Sequence, residues 1–374
     1  MTDPTEITTA GASIALWFVV AAAGLTLGRL LTLAVARLMP RASTRSRMID
    51  RAVEAAAVAT AIGLWWWEMG GGPSAPAAGD PVLGRYLAHL LLFTLLAAAS
   101  WVDLRERVIP DAITVPGVLI GLAWISFLPT ALMPIICPVP RSFAPPQAVP
   151  DVLGLWGGLQ AAPAPSWLGP SPAASGLLAA LAAFAAWWLA GTAPAPPSVA
   201  ARERRSWRLL IEPRLLVAVV GMVVIVAAWL RGGAHWGGTL ASLAGMLVAG
   251  GMIWLTRVGA SRALGREALG FGDVTLMAMV GAWLGWQPCV VTCVLAVFIG
   301  LMHGLALKIV HRESELPFGP SLCLAAAVVV VAWEPIWERA APAFERPVET
   351  AAVVVAVIVL TAASLWIWQR WRGG

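Results

Sequence analysis

The chain has 374 residues, 59% of them hydrophobic and 12% charged, with a mean hydropathy of +0.80. That balance excludes a soluble globular domain and places the chain in a lipid bilayer. The net charge of +5 makes no case for nucleic acid, because the arginines fall in short connections between apolar runs, where they set topology.

Apolar runs of about 17–25 residues are the length of membrane helices. In chain order they lie near 12–36, 52–69, 86–102, 112–134, 174–192, 214–230, 237–256, 274–287, 289–309, 319–336 and 350–369. The expected fold is therefore an all-α polytopic bundle of about eleven spans, range 8–11, with the second and eighth runs the shortest. The first run has no basic segment ahead of it and a basic cluster behind it, the pattern of a retained span and not of a cleaved signal peptide. Residues 138–173 are rich in Pro, Ala and Gly and predict an irregular external loop, and Thr192–Val199 is a second Pro-rich connector. Tryptophans gather at span ends (Trp65–Trp67, Trp187 and Trp188, Trp366 and Trp368), as in an interfacial belt. The chain divides into an N-terminal membrane region (1–80), a central membrane domain (81–335) and a C-terminal span with a basic tail (336–374).

Basic residues alternate along this layout. Arg41, Arg45, Arg47 and Arg51 fill the first connection and Arg105 and Arg107 the third. Arg202, Arg204, Arg205 and Arg208 follow in the fifth, Arg257, Arg262 and Arg266 in the seventh, Lys308 and Arg312 in the ninth, and Arg370 and Arg372 at the C-terminus. Arg85, Arg141 and Arg231 each stand alone in the opposite connections, and Arg339 and Arg346 run against the trend. The positive-inside rule then puts the N-terminus outside and the C-terminus in the cytoplasm. Cys137, Cys289, Cys293 and Cys323 form no C-x-x-C pair, and the four histidines show no metal-ligand spacing, so neither metal nor cofactor is expected.

Two carboxylates stand where apolar runs meet charged segments. Asp103 closes Leu91–Val102, and Asp273 opens Val274–Trp286. Both fall at the expected cytoplasmic face. An ionisable group at membrane depth costs roughly 2.5–3.5 kcal/mol at a helix centre by insertion scales, so it usually has a function. Two of one type on one side suggest an acid–base pair sharing a proton. The plainer readings are a helix-end carboxylate paired with Arg105 or Arg107 for Asp103, and an N-cap of the helix at Val274 for Asp273. Asp111, after Pro110, is expected to be an N-cap. Gly281 and Gly285 are expected to form a face for close helix packing.

Three segments carry a resemblance. Ser100-Trp101-Val102-Asp103-Leu104-Arg105-Glu106-Arg107-Val108-Ile109-Pro110-Asp111 resembles the first catalytic motif of type IV prepilin peptidases. Gly270-Phe271-Gly272-Asp273-Val274-Thr275-Leu276 resembles their second, GxGD-containing motif, and Pro317-Phe318-Gly319-Pro320 is similar to a third. The resemblance implies Asp103 and Asp273 as catalytic, supported by Gly270, Gly272, Arg105, Pro110, Asp111, Pro317 and Gly319. It also implies a location in the cell inner membrane, with the lipid bilayer around it. The implied substrates are type IV pilin or pseudopilin precursors, with a basic leader, a glycine before the cut and an apolar helix after it. Thr275 stands where the family often has Lys, and the two aspartates lie 170 residues apart, more than the family interval. Members that also N-methylate carry a cysteine-containing cytoplasmic loop, whereas Pro40–Arg51 is short and has no cysteine, so cleavage without methylation is expected.

Hydrolysis without a metal or a Ser/Cys nucleophile can use two carboxyls around one water, one ionised to take its proton and one protonated to polarise the scissile carbonyl. Such a pair titrates as a unit, and the residues do not say which is acid and which is base. The alternatives are a proton-coupled transporter and a catalytically inactive membrane assembly protein. A transporter would favour mid-span charges and duplicated halves, and neither is seen in the sequence.

Overall fold

A computed structural model describes residues 4–39, 47–71, 82–133, 135–138, 141–144, 174–192, 211–265, 267, 269–310, 317–345, 352 and 355. Eleven helices carry the fold: α1 (Pro4–Leu38), α2 (Arg47–Trp65), α3 (Val82–Glu106), α4 (Asp111–Phe127), α5 (Ala174–Thr192), α6 (Ile211–Arg231), α7 (Gly233–Leu264), α8 (Phe271–Leu284), α9 (Trp286–Val310), α10 (Gly319–Val331) and α11 (Trp333–Glu345). The bundle is all-α but for one short antiparallel ladder, Ile135–Pro138 with Arg141–Ala144. The start of the segment expected to be irregular is thus a hairpin, and 145–173 lie outside the described residues. Ten of the eleven expected runs coincide with described helices, α10 and α11 sharing one; the run at 350–369 lies outside the described residues but for Ala352 and Val355.

Among the described residues four helices are long and apolar enough to cross a membrane: Leu16–Leu38, Leu83–Glu106, Gly233–Arg262 and Trp286–Leu305. The pair α10 and α11 makes a fifth if it is one bent element. This is the build of a multi-pass membrane protein. Exposed Leu, Val and Phe side chains on α1, α6 and α9 (Phe18, Leu216, Val223 and Leu301 among them) would strand apolar surface in water and suit lipid.

The expected span 319–336 is not straight. It turns by 97° at Ala332. Pro335 explains the break: deep in a continuous helix its ring would clash with the carbonyl four residues back, whereas in the first turn of α11 it costs little. Ala332 closes α10 through its N–H to Val328 O (2.8 Å) and opens α11 by accepting from Ile336 N–H (3.1 Å).

The centre of the bundle is α8. Every residue from Asp273 to Leu284 is buried, and α7, α4, α9, α10 and α3 surround it. Fourteen residues rise only about 21 Å, short of the roughly 30 Å hydrocarbon core, so α8 is sheathed by longer neighbours. Its pairing with α7 is backbone to backbone. A Cβ on Gly281 would fall inside contact distance of Gly245 O and 2.8 Å from Met246 N, so the small-residue face expected at Gly281 and Gly285 is present. On its other side, Trp283 Nε1 donates to Gly117 O of α4 (2.9 Å), satisfying a buried indole.

Candidate active site

Three chain segments meet at one end of α8. The first runs from the last turn of α3 into α4. Arg107 closes α3 in the left-handed region (φ 56°) and donates its N–H to Asp103 O (2.9 Å), a helix stop usually made by glycine. That turn leaves Arg105 and Arg107 exposed and drives Ile109 inward, to 6% exposure. Pro110 is the N-cap of α4 and Asp111 its first helical residue, so Asp111 is not the cap that its sequence context suggested. A carboxylate there still complements the positive helix end.

The second segment is the α7–α8 connection. Gly265 ends α7 at φ 61°, and Arg257 on α7 pins the chain that follows. Its Nε donates to Leu269 O (3.0 Å), its NH2 to Glu267 Oε1 (2.6 Å), and its guanidinium lies 5.8 Å from the Phe271 ring. Arg257 is therefore more than a topology charge, and Glu267 is an exposed partner in an ion pair. Gly270 is the N-cap of α8 and Asp273 its third helical residue. The helix starts at Phe271, earlier than expected, and Asp273 does not cap it in the usual sense. Its carboxylate reaches back to accept from the Gly270 N–H, the half of a capping box that an acidic third residue supplies.

The third segment, Pro317–Pro320, opens α10, with Pro320 in its first turn. Gly319 N–H donates to the Asp103 carboxylate. A Cβ on Gly319 would fall inside contact distance of Asp103 Oδ2, 3.2 Å from Asp103 Cγ and 2.8 Å from Ile109 Cδ1. A Cβ on Gly272 would fall 2.9 Å from Ile109 Cβ. Ile109 is thus the common neighbour of Gly272 and Gly319, and both positions require a residue without a side chain.

These contacts bring Asp103 and Asp273 within each other's electrostatic field, both buried, at 5% and 7% exposure. Cys323, one turn into α10 from Gly319, lies in the field of both carboxylates, and the Ser100 hydroxyl hydrogen-bonds to its sulfur. The site therefore holds two carboxylates, each with one backbone N–H from a glycine, beside a thiol and a hydroxyl. Of the residues expected from sequence, Asp103, Asp273, Gly270, Gly272 and Gly319 meet at this junction, Pro317 lies two residues before Gly319, Pro110 and Asp111 begin α4 beside it, and Arg105 is exposed. Ile109, Ser100, Cys323 and Arg257 were not anticipated; the spacing of Ser100 to Asp103 and Gly319 to Cys323, one turn each, was the available signal.

A second buried polar group lies at the far end of α3. Glu68, in a π-helical turn (Trp66–Gly71) after α2, accepts from Arg85 Nε (2.9 Å) and pairs with His89 Nδ1. Arg85 is thus a buried helix residue and not a lone charge in a connection. Among the described residues no group of three or more His, Cys, Asp or Glu is arranged to hold a metal ion.

The type IV leader peptidase family model matches residues 207–305, a stretch that contains the Gly270–Asp273 segment but neither Asp103 nor Pro317–Pro320. Curated relatives carry the name prepilin leader peptidase/N-methyltransferase. That of Aeromonas salmonicida is 32% identical over 95 residues, 25% of this chain and 31% of its own length. That of Dickeya chrysanthemi is 37% identical over 110 residues, 26% and 39% of the two chains. That of Pseudomonas aeruginosa is 39% identical over 70 residues, 18% and 24%. The chain therefore spans about a third of the length of these relatives. No solved structure matches. Through residues 207–305 the chain is similar to the type IV leader peptidase family.

Proposed function

We propose that this chain is a multi-pass membrane aspartic endopeptidase that removes the basic leader from type IV pilin or pseudopilin precursors at the cytoplasmic face of the cell inner membrane. The observation that supports it most is the meeting of three motif segments at Ile109, with Asp103 and Asp273 both buried and within each other's electrostatic field. On this reading the two buried carboxyls share a proton, since both charges together would repel. The ionised one takes a proton from a water lying between them, and the protonated one donates to the scissile carbonyl oxygen. The water's oxygen bonds the carbonyl carbon, the C–N bond breaks, and the leaving amine carries away a proton. Gly270 and Gly319 hold each carboxylate through one N–H, which fixes the pair before substrate arrives. The basic connections support the cytoplasmic orientation.

The test is cleavage of a pilin-type precursor by the purified protein in liposomes, read by the mass of the product. Asp103→Asn and Asp273→Asn each abolish cleavage at unchanged abundance, because the amide keeps the shape and cannot exchange the proton. Asp111→Asn retains most activity. Cleavage that survives either of the first two substitutions refutes the assignment.

A further inference from the structure

Thr275 lies two residues beyond Asp273, and its hydroxyl is bonded both within the first turn of α8 and across to α4. Thr275 Oγ1 donates to Gly272 O (3.1 Å), the carbonyl just before Asp273. Thr114, in the first turns of α4, donates its Oγ1 to Thr275 Oγ1 across the helix interface (3.2 Å). The two side chains are 0% and 2% exposed, so no solvent competes for these bonds. Thr275 is thus a relay. It accepts from the helix that follows the Asp103 segment and donates into the turn that carries Asp273.

The placement matters because it adds a polar tie beside the apolar contact of Ile109 with Gly272. Ile109 against Gly272 sets how near the segments come, and the first turn of α8 holds the Gly272–Asp273 peptide within its own helix; the Thr114–Thr275 pair adds a polar tie from that turn to α4. The hydroxyl chain fixes the direction of the Gly272 carbonyl, and with it the peptide plane from which Asp273 departs. Valine has the same shape and supplies neither bond. Serine supplies both.

We propose that the Thr114–Thr275 hydroxyl pair is a positioning device that holds the Asp273 carboxylate at the separation and angle from Asp103 that the reaction needs. This rests on the peptidase reading above. Neither threonine touches the reacting atoms, so both are positioning residues.

The experiment measures kcat and KM for precursor cleavage, and amide hydrogen exchange over residues 269–276, in wild type, Thr275→Val, Thr275→Ser, Thr114→Val and the double valine variant. Thr275→Val is expected to lower kcat about tenfold with KM within twofold of wild type, since substrate binding is remote from the bridge. It is also expected to speed exchange of the Gly272–Asp273 segment. Thr275→Ser restores both to within about twofold. The double variant matches Thr275→Val alone, because the hydroxyls act as one unit. Wild-type kcat in Thr275→Val, a serine variant as impaired as the valine one, or multiplicative losses in the double variant would each overturn the proposal. Should Thr275→Val fail to accumulate in membranes, Thr114→Val carries the same test, as it removes only the cross-helix bond. Wild-type protein that cleaves nothing counts against the peptidase reading; the exchange result then still decides whether the hydroxyl chain orders the Asp273 turn.

Discussion

Gly319→Ala is the sharpest single test of the geometry. The new methyl would stand 2.8 Å from Ile109 Cδ1 and 3.2 Å from Asp103 Cγ, and closer still to Asp103 Oδ2. Normal carbon contacts begin near 3.5 Å, so Ile109 must retreat by about 0.7 Å and the Asp103 carboxyl carbon by about 0.3 Å. The carboxylate oxygen must move further, by about 1 Å, or rotate away from the Gly319 N–H. Stability should change little, because alanine gains about 0.5–1 kcal/mol over glycine in a helix while overpacking costs about 1–3 kcal/mol. Catalysis has no such offset. A displacement of about 1 Å at a reacting group is worth roughly a hundredfold in rate. We therefore expect kcat for precursor cleavage to fall about a hundredfold, with KM within a few-fold and the thermal midpoint within about 5 °C of wild type. The assay is steady-state cleavage in liposomes beside a thermal unfolding series on the same preparations. A Gly319→Ala protein that cleaves within threefold of wild type would show that the Asp103–Gly319 contact does not hold a reacting group.

Three further outcomes follow from other parts of the molecule. Gly281→Ala should destabilise the protein by about 3 kcal/mol, since its methyl would meet Gly245 backbone that cannot rotate away, and detergent-unfolding curves will show whether it does. Glu68→Gln should cost about 3–5 kcal/mol by leaving Arg85 buried without its counter-charge, and should do so without changing kcat in the protein that remains folded; a thermal series and an active-fraction assay separate the two. Cleaved product should keep an unmodified N-terminal amine, because Pro40–Arg51 is too short to enclose a methyl donor; a mass gain of one methylene with purified components would contradict this.

The carboxylates were legible because charge at membrane depth is rare and the flanking motifs have fixed order. Helix positions were legible for the same reason that membrane segments usually are, since uninterrupted apolar length is itself the signal. What escaped notice depends on tertiary contact. Ile109 looks like any other apolar residue in the sequence, and only the fold shows it touching both Gly272 and Gly319. Glu68 is separated from Arg85 and His89 by a Gly- and Pro-rich stretch, and nothing local says that the π-helical turn faces α3. The i, i+4 spacing of Arg85 and His89 was visible, but a shared acid between them was not. Pro335 was a missed signal of another kind, since a proline near the end of the expected span 319–336 marks where a straight helix cannot continue, and the break is found three residues before it, at Ala332. The caps were misread by one to three residues because Asp is favoured both at the N-cap and in the first turn, and composition cannot separate the two.

The position of the pair follows from where backbone donors are free. Inside a helix every N–H is spent on the carbonyl four residues back, and only the first turn has N–H groups to offer a carboxylate. A buried carboxylate in the middle of a span would have to find side-chain donors or stay neutral. Asp273 sits in the first turn of its own helix and takes the Gly270 N–H, while Asp103, at the end of α3, takes the Gly319 N–H at the start of α10. The second solution demands glycine, because a Cβ on Gly319 would press on the carboxylate and on Ile109, whereas a Cβ on Gly270 would meet Asp273 Oδ2 at an ordinary 3.6 Å. The bent element α10–α11 and the short α8 bring two helix starts to the end of α3, which no set of straight, full-length spans would do at the same depth. On the proposed reading, the two carboxylates exchange one proton locally, at the helix ends where glycine N–H groups hold them. A relay carrying protons across the membrane would need acceptors spread along its depth, and among the described residues the other buried charges, Glu68, Arg85 and His89, are locked to one another near the opposite end of α3.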